Sequence, residues 1–386
     1  MKRKLISLLL VLTMSLASLA IFTACGGDET DGTSFVTDMI GREVQIEAGS
    51  YKRVVCIGAG ALRMYSYVGD VNLLCGIEDI DNTTRESRPK MFDSAARPYV
   101  LANAEVFNSI ENSCGVGGPN AQTAEAEKIL ACNPDIVISE YEDVDKENAL
   151  QEQLGVPVIT LKISSDGVFS RYTKDTITLL GKIFKREKQA KALNKYIEDQ
   201  TQLLYERTYD IPDEEKKSVY VCGLGNWGTT NHLMTAQNYA PFNCAHIKNA
   251  VSGLIKDGIQ AIEAEKLVDL GKDIDVMLID AAAVKNIKPL YKDDPTMFDD
   301  VKAWQNGEVY LEMPYNAYYT NLEIALANTF YIAKIVYPER FEDIDITDKL
   351  NEITKAFLGK ELAEEIYACG ASFGGYQKID TETFFA

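Results

Sequence analysis

The sequence predicts an α/β fold made of two Rossmann-like lobes that are joined by a single long α-helix, with a ligand cleft between the lobes. Two series of short apolar strands alternate with helical stretches, and such alternation predicts parallel sheets covered by helices on both faces. A charged helical stretch without strand character separates the two series. We therefore expect a first lobe over residues 35–165, a linker over 166–210 and a second lobe over 211–386.

The first lobe is predicted to begin with a small hairpin over residues 35–48 that turns near Gly41. After the hairpin, apolar runs alternate with segments that have the apolar period of a helix. The predicted strands are Val54–Ile57, Leu73–Ile77, Asp135–Ser139 and Val156–Leu161, and the predicted helices lie near 59–68, 121–131 and 145–154.

The linker has no strand signal from Val168 to Arg207. Gly181 interrupts its pattern, and residues 187–207 continue as a charged amphipathic helix. At 1.5 Å per residue this helix spans roughly 30 Å, about the width of a small domain. We expect it to be a rigid connection between the lobes.

The second lobe repeats the alternation of strands and helices. Because open α/β sheets bind ligands at the carboxyl ends of their strands, we expect the cleft between those ends of the two sheets. The predicted strands are Ser218–Cys222, Val276–Asp280 and Glu308–Leu311, and the predicted helices lie near 239–252, 262–270, 321–337, 347–357 and 361–368.

The amino-terminal segment has the pattern of an export signal. A basic head, an apolar run from Leu5 to Phe22 and the small pair Thr23-Ala24 precede Cys25. The run is too short and too poorly flanked for a spanning helix. The cysteine resembles that of the bacterial lipobox, so we predict a signal peptide over 1–24, lipidation of Cys25 and a flexible tether up to residue 34. An ordinary signal peptide that happens to contain a cysteine is the alternative. Both place the protein outside the cytoplasm, and lipidation places it on the extracytoplasmic face of the bacterial cell membrane.

The charge of the chain argues against nucleic-acid partners. Without residues 1–24, which carry three basic residues and no acidic ones, 36 basic and 58 acidic side chains remain, a net charge of −22. This balance also disfavours direct electrostatic binding to anionic lipid. It fits a soluble body that acyl chains hold at the membrane.

The cysteines beyond Cys25 show no metal-ligand spacing and no Cys-x-x-Cys pair. We expect buried free thiols, and a Cys222–Cys244 disulfide stays open. These cysteines are Cys56, Cys75, Cys114, Cys132, Cys222, Cys244 and Cys369.

Several short sequence segments, spread over most of the chain, match the motifs of one family in their order and spacing. They lie at 37–44, 52–55, 127–138, 179–184 and 337–341. In these segments the chain resembles substrate-binding lipoproteins of ABC importers in the iron-siderophore, haem and cobalamin class. The resemblance implies a monomeric, rigid binder with little hinge motion. It also implies one exposed acidic residue on each lobe that pairs with arginines of the permease, and Glu127 and Glu265 stand at the corresponding positions. The alternative for each is a solvated carboxylate favoured by the helix dipole.

Basic residues concentrate in the first-lobe loops that are expected to line the cleft. Guanidinium groups suit carboxylates, phosphates and the oxygen-rich ligands of a ferric chelate, so these loops predict a local basic pocket for an anionic iron complex. Ion pairs with nearby Asp and Glu are the alternative for each arginine. Tyr141 follows another first-lobe strand and is a further candidate contact. The basic candidates are Arg63, Arg85 and Arg88, with Lys90 and Arg97 in the same region.

The second-lobe loop after residue 222 contains Gly-x-Gly-x-x-Gly, but no clear helix starts at the third glycine and no acidic residue follows twenty positions on. We therefore set aside a dinucleotide site. Glycines around Trp227 favour a stacking surface for a flat ligand instead. Tyr239, Tyr315 and Tyr318 are candidates for an aromatic wall with phenolic donors, and core packing is the alternative.

Only two histidines, His232 and His246, occur in the chain. His232 lies in a predicted cleft loop and could ligate a haem or corrinoid metal, whereas a lone histidine is more often structural. A directly bound transition metal needs three or four converging ligands, and the chain has no His-rich tract. We predict no cofactor and no metal site.

The leading hypothesis is a non-catalytic importer component. It captures a ferric siderophore or similar iron complex and delivers it to a membrane permease, with cobalamin or haem as alternatives. Since the chain has no Walker-type phosphate loop, a separate ATPase subunit must hydrolyse ATP.

Two other classes remain open. A secreted lipoprotein hydrolase lacks support from Gly-x-Ser-x-Gly or His-Glu-x-x-His motifs, although paired carboxylates are not excluded by composition. An adhesion or sensory lipoprotein would bind a protein partner without any small ligand.

Overall fold

A computed structural model describes residues 33–118, 123–163, 169–225 and 230–385. Within this part of the chain, two five-stranded sheets flanked by helices confirm the predicted two-lobe α/β fold. The predicted hairpin is present as β1 (Thr33–Thr37) and β2 (Glu43–Glu47), and Gly41 has a φ of 87° in its turn. Cys25 and the predicted signal peptide lie outside the described residues.

The first lobe is a parallel sheet whose strands alternate with helices. Every residue of its two central strands is buried, because helices cover both faces and select continuous apolar runs. The strands are β3 (Val54–Ile57), β4 (Leu74–Glu78), β5 (Ser113–Gly115), β6 (Ile136–Ser139) and β7 (Val158–Thr160), and the helices are α1 (Ala61–Val68), α2 (Pro98–Ser109), α3 (Ala126–Ala131) and α4 (Val144–Leu154). The strand order is β5-β4-β3-β6-β7.

Two helices form the linker. They are α5 (Arg171–Ile183) and α6 (Glu187–Thr208). Gly181 lies where α5 packs closely on α6, since a Cβ atom added there would be 2.6 Å from the Cβ of Ala190. This close approach explains the glycine that interrupts the sequence pattern.

The long helix α6 reaches both lobes, as predicted. Near its start, the Gln189 side chain donates a 2.8 Å hydrogen bond to the Tyr67 carbonyl of the first lobe. At its end, the Thr208 hydroxyl lies 2.9 Å from Nδ1 of His246 in the second lobe. Its 22 residues correspond to about 33 Å.

The second lobe contains a second parallel sheet, to which one antiparallel strand is added at the edge. Its strands are β8 (Ser218–Cys222), β10 (Lys248–Asn249), β12 (Val276–Asp280), β13 (Val309–Glu312) and the antiparallel β14 (Gln377–Lys378), and β9 (Met234–Ala236) pairs separately with β11 (Ile259–Ala261). The helices are α7 (Ala240–Cys244), α8 (Ala264–Gly271), α9 (Val284–Asp293), α10 (Lys302–Gln305), α11 (Leu322–Val336), α12 (Ile346–Leu358) and α13 (Ala363–Ala368). The strand order is β10-β8-β12-β13-β14.

The helix predicted near 239–252 is wrong over most of its length. Helix α7 ends at Cys244, and His246 then has a φ of 51°, which breaks the helical path. Residues 248–249 pair instead with β8 in the sheet. Tertiary pairing overrides the local helical pattern here.

The last helices of the chain pack on the first lobe. The rings of Tyr67 in α1 and Phe357 in α12 lie 5.1 Å apart, and the Lys360 ammonium donates to the Ala102 carbonyl at 2.5 Å. These contacts join the lobes on the side of α1 and α2.

The seven described cysteines are free thiols, and Cys222 and Cys244 form no disulfide. Among the described residues, no helix has the length and apolar character needed to cross a membrane.

Candidate functional site

The carboxyl ends of the two parallel sheets carry loops that meet between the lobes. In the first sheet β3 lies between β4 and β6, and in the second sheet β8 lies between β10 and β12. The chain winds in opposite directions from each of these strands, and such switch points form ligand crevices at strand carboxyl ends. The candidate site therefore lies where these loops face each other.

Residues 313–321, which connect β13 to α11, form a bridging loop between the lobes. Asp280 at the end of β12 holds its start, because the Tyr315 N–H donates a 2.9 Å bond to the Asp280 carboxylate. Tyr318 and Tyr319 have φ values of 52° and 74°. Two consecutive non-glycine residues in this left-handed backbone region are uncommon, and the conformation is costly in free energy.

Both of these tyrosines donate hydrogen bonds to the first lobe. The Tyr318 hydroxyl donates to a carboxylate oxygen of Glu78 at 2.6 Å, and the Tyr319 hydroxyl donates to the Ile163 carbonyl at 2.6 Å. The left-handed backbone of the bridging loop is thus held by contacts across the cleft.

Glu78 at the end of β4 is the central acidic group of this site. It is 4% exposed, and its second oxygen accepts a 3.1 Å bond from the Gly58 N–H. Burial raises the pKa of Glu78 to about 7, against the lowering effect of the Tyr318 bond. Among the described residues no cationic side chain pairs with Glu78, and the segments 119–122, 164–168 and 226–229 contain no Lys, Arg or His.

A second carboxylate, Glu140, follows β6 beside the same glycine. Burial, and then the neighbouring Glu142 and Glu78 charges, raise the pKa of Glu140 to about 8. A narrow cavity next to Glu78 has Tyr141 in its wall. This part of the site is therefore acidic.

The three arginines predicted to bind ligand all make contacts within the protein. Arg63 is fully buried, where its guanidinium donates to the Ala317 carbonyl at 2.8 Å and to the Asn321 side chain at 2.5 Å. Arg85 pairs with Asp79 at 2.8 Å, and Arg88 pairs with Asp93 at 3.0 Å. In the structure these guanidinium groups meet acidic side chains and carbonyl groups of the protein, the alternative that was open for each arginine.

The predicted tyrosines divide into two groups. Tyr318 reaches the first lobe, and Tyr141 lies in the first-lobe cavity wall. Tyr239 and Tyr315 pack on each other inside the second lobe with ring centres 4.9 Å apart, and the Tyr239 hydroxyl donates to Glu312 at 2.9 Å. For these two, the structure matches the core-packing alternative.

The two remaining candidates lie in or beside the loop after β8. Trp227 lies outside the described residues. The His232 ring packs edge-on against Phe298 at 5.9 Å, and its Nδ1 is buried with no hydrogen-bond partner among the described residues. Burial lowers the pKa of this imidazole. No group of three or more potential ligand side chains within the described ranges is placed to hold a metal ion.

The sequence analysis did not select Glu78 as a site candidate. Glu78 directly follows a predicted strand, and a polar residue at that position is the signal that the sequence offers.

The two predicted docking glutamates occupy equivalent helix positions. Glu127 and Glu265 are each the second residue of their helices, α3 and α8, and both are exposed. Three residues later each helix exposes an apolar side chain, Leu130 at 44% and Val268 at 50%. Residues at this spacing are neighbours on a helix surface.

Comparison with known proteins gives a consistent result. The model of the periplasmic binding protein family matches residues 62–314. The molybdate-binding protein MolA of Haemophilus influenzae is 21% identical over 269 residues, covering 64% of this chain and 73% of that protein.

Solved structures of similar proteins support the fold. A periplasmic solute binding protein from Veillonella parvula has a TM-score of 0.66 at 19% identity, with 87% of this chain and 96% of that chain covered. MolA bound to molybdate has a TM-score of 0.64 at 18% identity, covering 85% and 98%. The TroA-like protein FepB from Veillonella parvula has a TM-score of 0.60 at 21% identity, covering 85% and 97%.

The family match extends from α1 of the first lobe through the linker and the second lobe as far as the start of the bridging loop. This chain therefore belongs to the periplasmic binding protein family and is a substrate-binding protein of an ABC transporter.

Proposed function

We propose that this protein captures a ferric siderophore or a similar iron complex outside the cytoplasm and delivers it to an ABC permease. The observation that carries the proposal is the meeting of two sets of strand carboxyl ends at the bridging loop. An organic complex bound there would contact both lobes at once. Haem and cobalamin are alternatives of the same class.

The internal ion pairs of the arginines bear on the charge of the ligand. A strongly anionic complex that recruited Arg85 would leave the buried carboxylate of Asp79 unpaired. Complexes with little negative charge avoid this cost, because charged groups are expensive to leave unpaired when buried. This favours hydroxamate complexes over tris-catecholates and over oxyanions such as molybdate.

Delivery to the permease is proposed to use Glu127 and Glu265. Both are exposed on opposite lobes, and charge pairs across an interface favour correct orientation of the partners. We further propose that an acylated Cys25 holds the protein at the membrane, which keeps it close to the permease.

The test is a titration of the purified protein with ferric hydroxamate, ferric catecholate, ferric citrate, haem, cobalamin and molybdate. Calorimetry measures binding, and tryptophan fluorescence gives a second signal. We expect one tight binder among the iron complexes. If none of the complexes binds, the proposal is wrong.

The two tryptophans provide a matched control for the fluorescence signal. Trp304 is buried against Phe298 and Phe385 inside the second lobe, whereas Trp227 is predicted at the cleft. Trp227→Ala is expected to lower the ligand affinity and remove the quenching. Trp304→Phe is expected to leave both the affinity and the quenching unchanged. Quenching that survives Trp227→Ala would remove this residue from the site.

A further inference from the structure

The strongest unassigned feature of the molecule is the contact between Glu78 and Tyr318. It joins a buried carboxylate of the first lobe to a strained loop of the second lobe, at the carboxyl ends of both sheets. Other buried carboxylates, such as Asp280 and Glu312, have their hydrogen-bond partners within the second lobe.

Among the described residues, the hydrogen-bond donors to Glu78 are neutral. These are the Gly58 N–H at 3.1 Å and the Tyr318 hydroxyl at 2.6 Å. The nearby carboxylates Asp81, Glu125 and Glu140 add negative potential at Glu78. Neutral donors compensate a buried carboxylate less well than a cation does.

Tyr318 is held in this position at a conformational cost. Its φ of 52° lies in the left-handed region, and the next residue, Tyr319, has a φ of 74°. Strain of this kind concentrates in ligand clamps and switch segments, where contacts with the surroundings maintain it. A partner that replaces the Tyr318 hydroxyl on Glu78 would remove one of the contacts that hold the loop.

We propose that Glu78 is the recognition site for a cationic group of the transported complex, and that the Tyr318 hydroxyl occupies this site until the ligand displaces it. This inference rests on the proposed transport function. It specifies the ligand class as a metal complex that carries a protonated amine or an equivalent cation on its periphery. Tyr318 then acts as an internal competitor that keeps the acidic site filled.

The test uses two ligands that differ by one charge. One is a linear ferric tris-hydroxamate with a pendant primary ammonium, and the other is the same complex after N-acetylation. Calorimetry on the wild-type protein is expected to show that the ammonium form binds at least about tenfold more tightly, since a charge-assisted bond is stronger than a neutral one. This comparison needs no variant. Equal affinities would overturn the inference.

Variants then assign the preference to Glu78. Glu78→Gln is expected to abolish the difference between the two ligands, chiefly by weakening the binding of the ammonium form. Glu312→Gln, which changes a buried carboxylate inside the second lobe, is the matched control and should retain the preference. If Glu78→Gln weakens both ligands equally, the carboxylate has a structural role and the inference is wrong.

The competitor role of Tyr318 is tested with an exposed tyrosine outside the site as control. Tyr318→Phe is expected to raise the affinity for the ammonium form about threefold or more, because no hydroxyl competes for Glu78. Tyr209→Phe, at an exposed position after α6, should change this affinity less than about twofold. A loss of affinity in Tyr318→Phe would overturn the competitor role.

Failure of this inference is distinguishable from failure of the proposed function. Tight binding of an anionic complex such as ferric citrate, unaffected by Glu78→Gln, would overturn the inference and leave the transport function intact. Absence of binding for every complex would overturn both.

Discussion

The two lobes place buried carboxylates at the same structural position and use them differently. In the first lobe, Glu78 at the end of β4 accepts a bond from Tyr318 of the other lobe. In the second lobe, Asp280 and Glu312 end neighbouring strands in register, and their hydrogen-bond partners belong to the same lobe. Burial raises the pKa of Asp280 to about 7, as it does for Glu78.

This difference separates a carboxylate that shapes a loop from one that faces the cleft. Asp280 organises the bridging loop from within its lobe, and Glu78 meets that loop from across the cleft. Similar burial and similar pKa values thus do not imply similar roles. The two carboxylates are distinguished by the lobe that supplies their hydrogen-bond donor.

The largest expected effect concerns Glu127 and Glu265, the exposed glutamates at equivalent helix positions of the two lobes. Combined Glu127→Gln and Glu265→Gln should lower ligand-stimulated ATP hydrolysis by the reconstituted transporter at least about tenfold, because both charge pairs at the interface are lost. Ligand affinity should not change. Glu152→Gln and Glu364→Gln, exposed glutamates on other helices, are the controls. Unchanged stimulation would contradict the docking proposal.

The next effect tests the organising role of Asp280. Asp280→Ala should lower the free energy of unfolding by about 2 to 4 kcal/mol, because the buried N–H group of Tyr315 and the part-buried N–H group of Ala282 lose their acceptor. Chemical denaturation measures this loss. Asp293→Ala, at an exposed position, should have little effect. Equal stabilities of the wild type and Asp280→Ala would show that the bridging loop does not depend on Asp280.

The pH dependence of stability compares Glu78 with ordinary carboxylates. Its pKa is raised from 4.5 to about 7, so the folded protein keeps a proton that the unfolded chain loses first. The free energy of unfolding should therefore be higher below pH 4.5 than above pH 7, with the Glu78 contribution on the order of 1 to 3 kcal/mol. Glu78→Gln should flatten this part of the profile, and the exposed Glu152→Gln should not. If the free energy of unfolding instead rises between pH 4.5 and pH 7 in the wild type but not in Glu78→Gln, the raised pKa of Glu78 is contradicted.

The smallest effect concerns a single hydrogen bond across the cleft. Tyr319→Phe removes the donor to the Ile163 carbonyl and should lower the free energy of unfolding by about 1 kcal/mol. Thermal or chemical denaturation measures it against the exposed Tyr209→Phe as control. A loss as large as that of Asp280→Ala would mean that the bridging loop depends on the cross-lobe bond more than on its own lobe.

Much of the fold could be predicted from local patterns. The strand Val54–Ile57 and the linker helix from residue 187 were predicted closely, because buried parallel strands and long amphipathic helices leave strong periodic signals. The segment after Cys244 was predicted incorrectly, since its pairing with β8 depends on a distant strand.

The site was harder to predict than the fold. Arg63 was predicted to contact ligand, yet its partners Ala317 and Asn321 lie more than 250 residues away in sequence. Sequence shows that a guanidinium group is present but not which acceptor it meets. The same limit applies to Glu78, whose partner Tyr318 is distant in the chain.

By itself, the sequence determined the two-lobe α/β architecture, its connecting helix and the positions of the loops that follow the strands, because apolar periodicity encodes which faces become buried. Only the tertiary structure decided which charges in those loops stay available. Ion pairs and hydrogen bonds depend on distances of about 3 Å between residues that are far apart in the chain. Arg85 and Arg88 pair with acidic side chains of their own lobe, and Arg63 meets the bridging loop of the other lobe. Glu78 faces the cleft with a tyrosine as its partner.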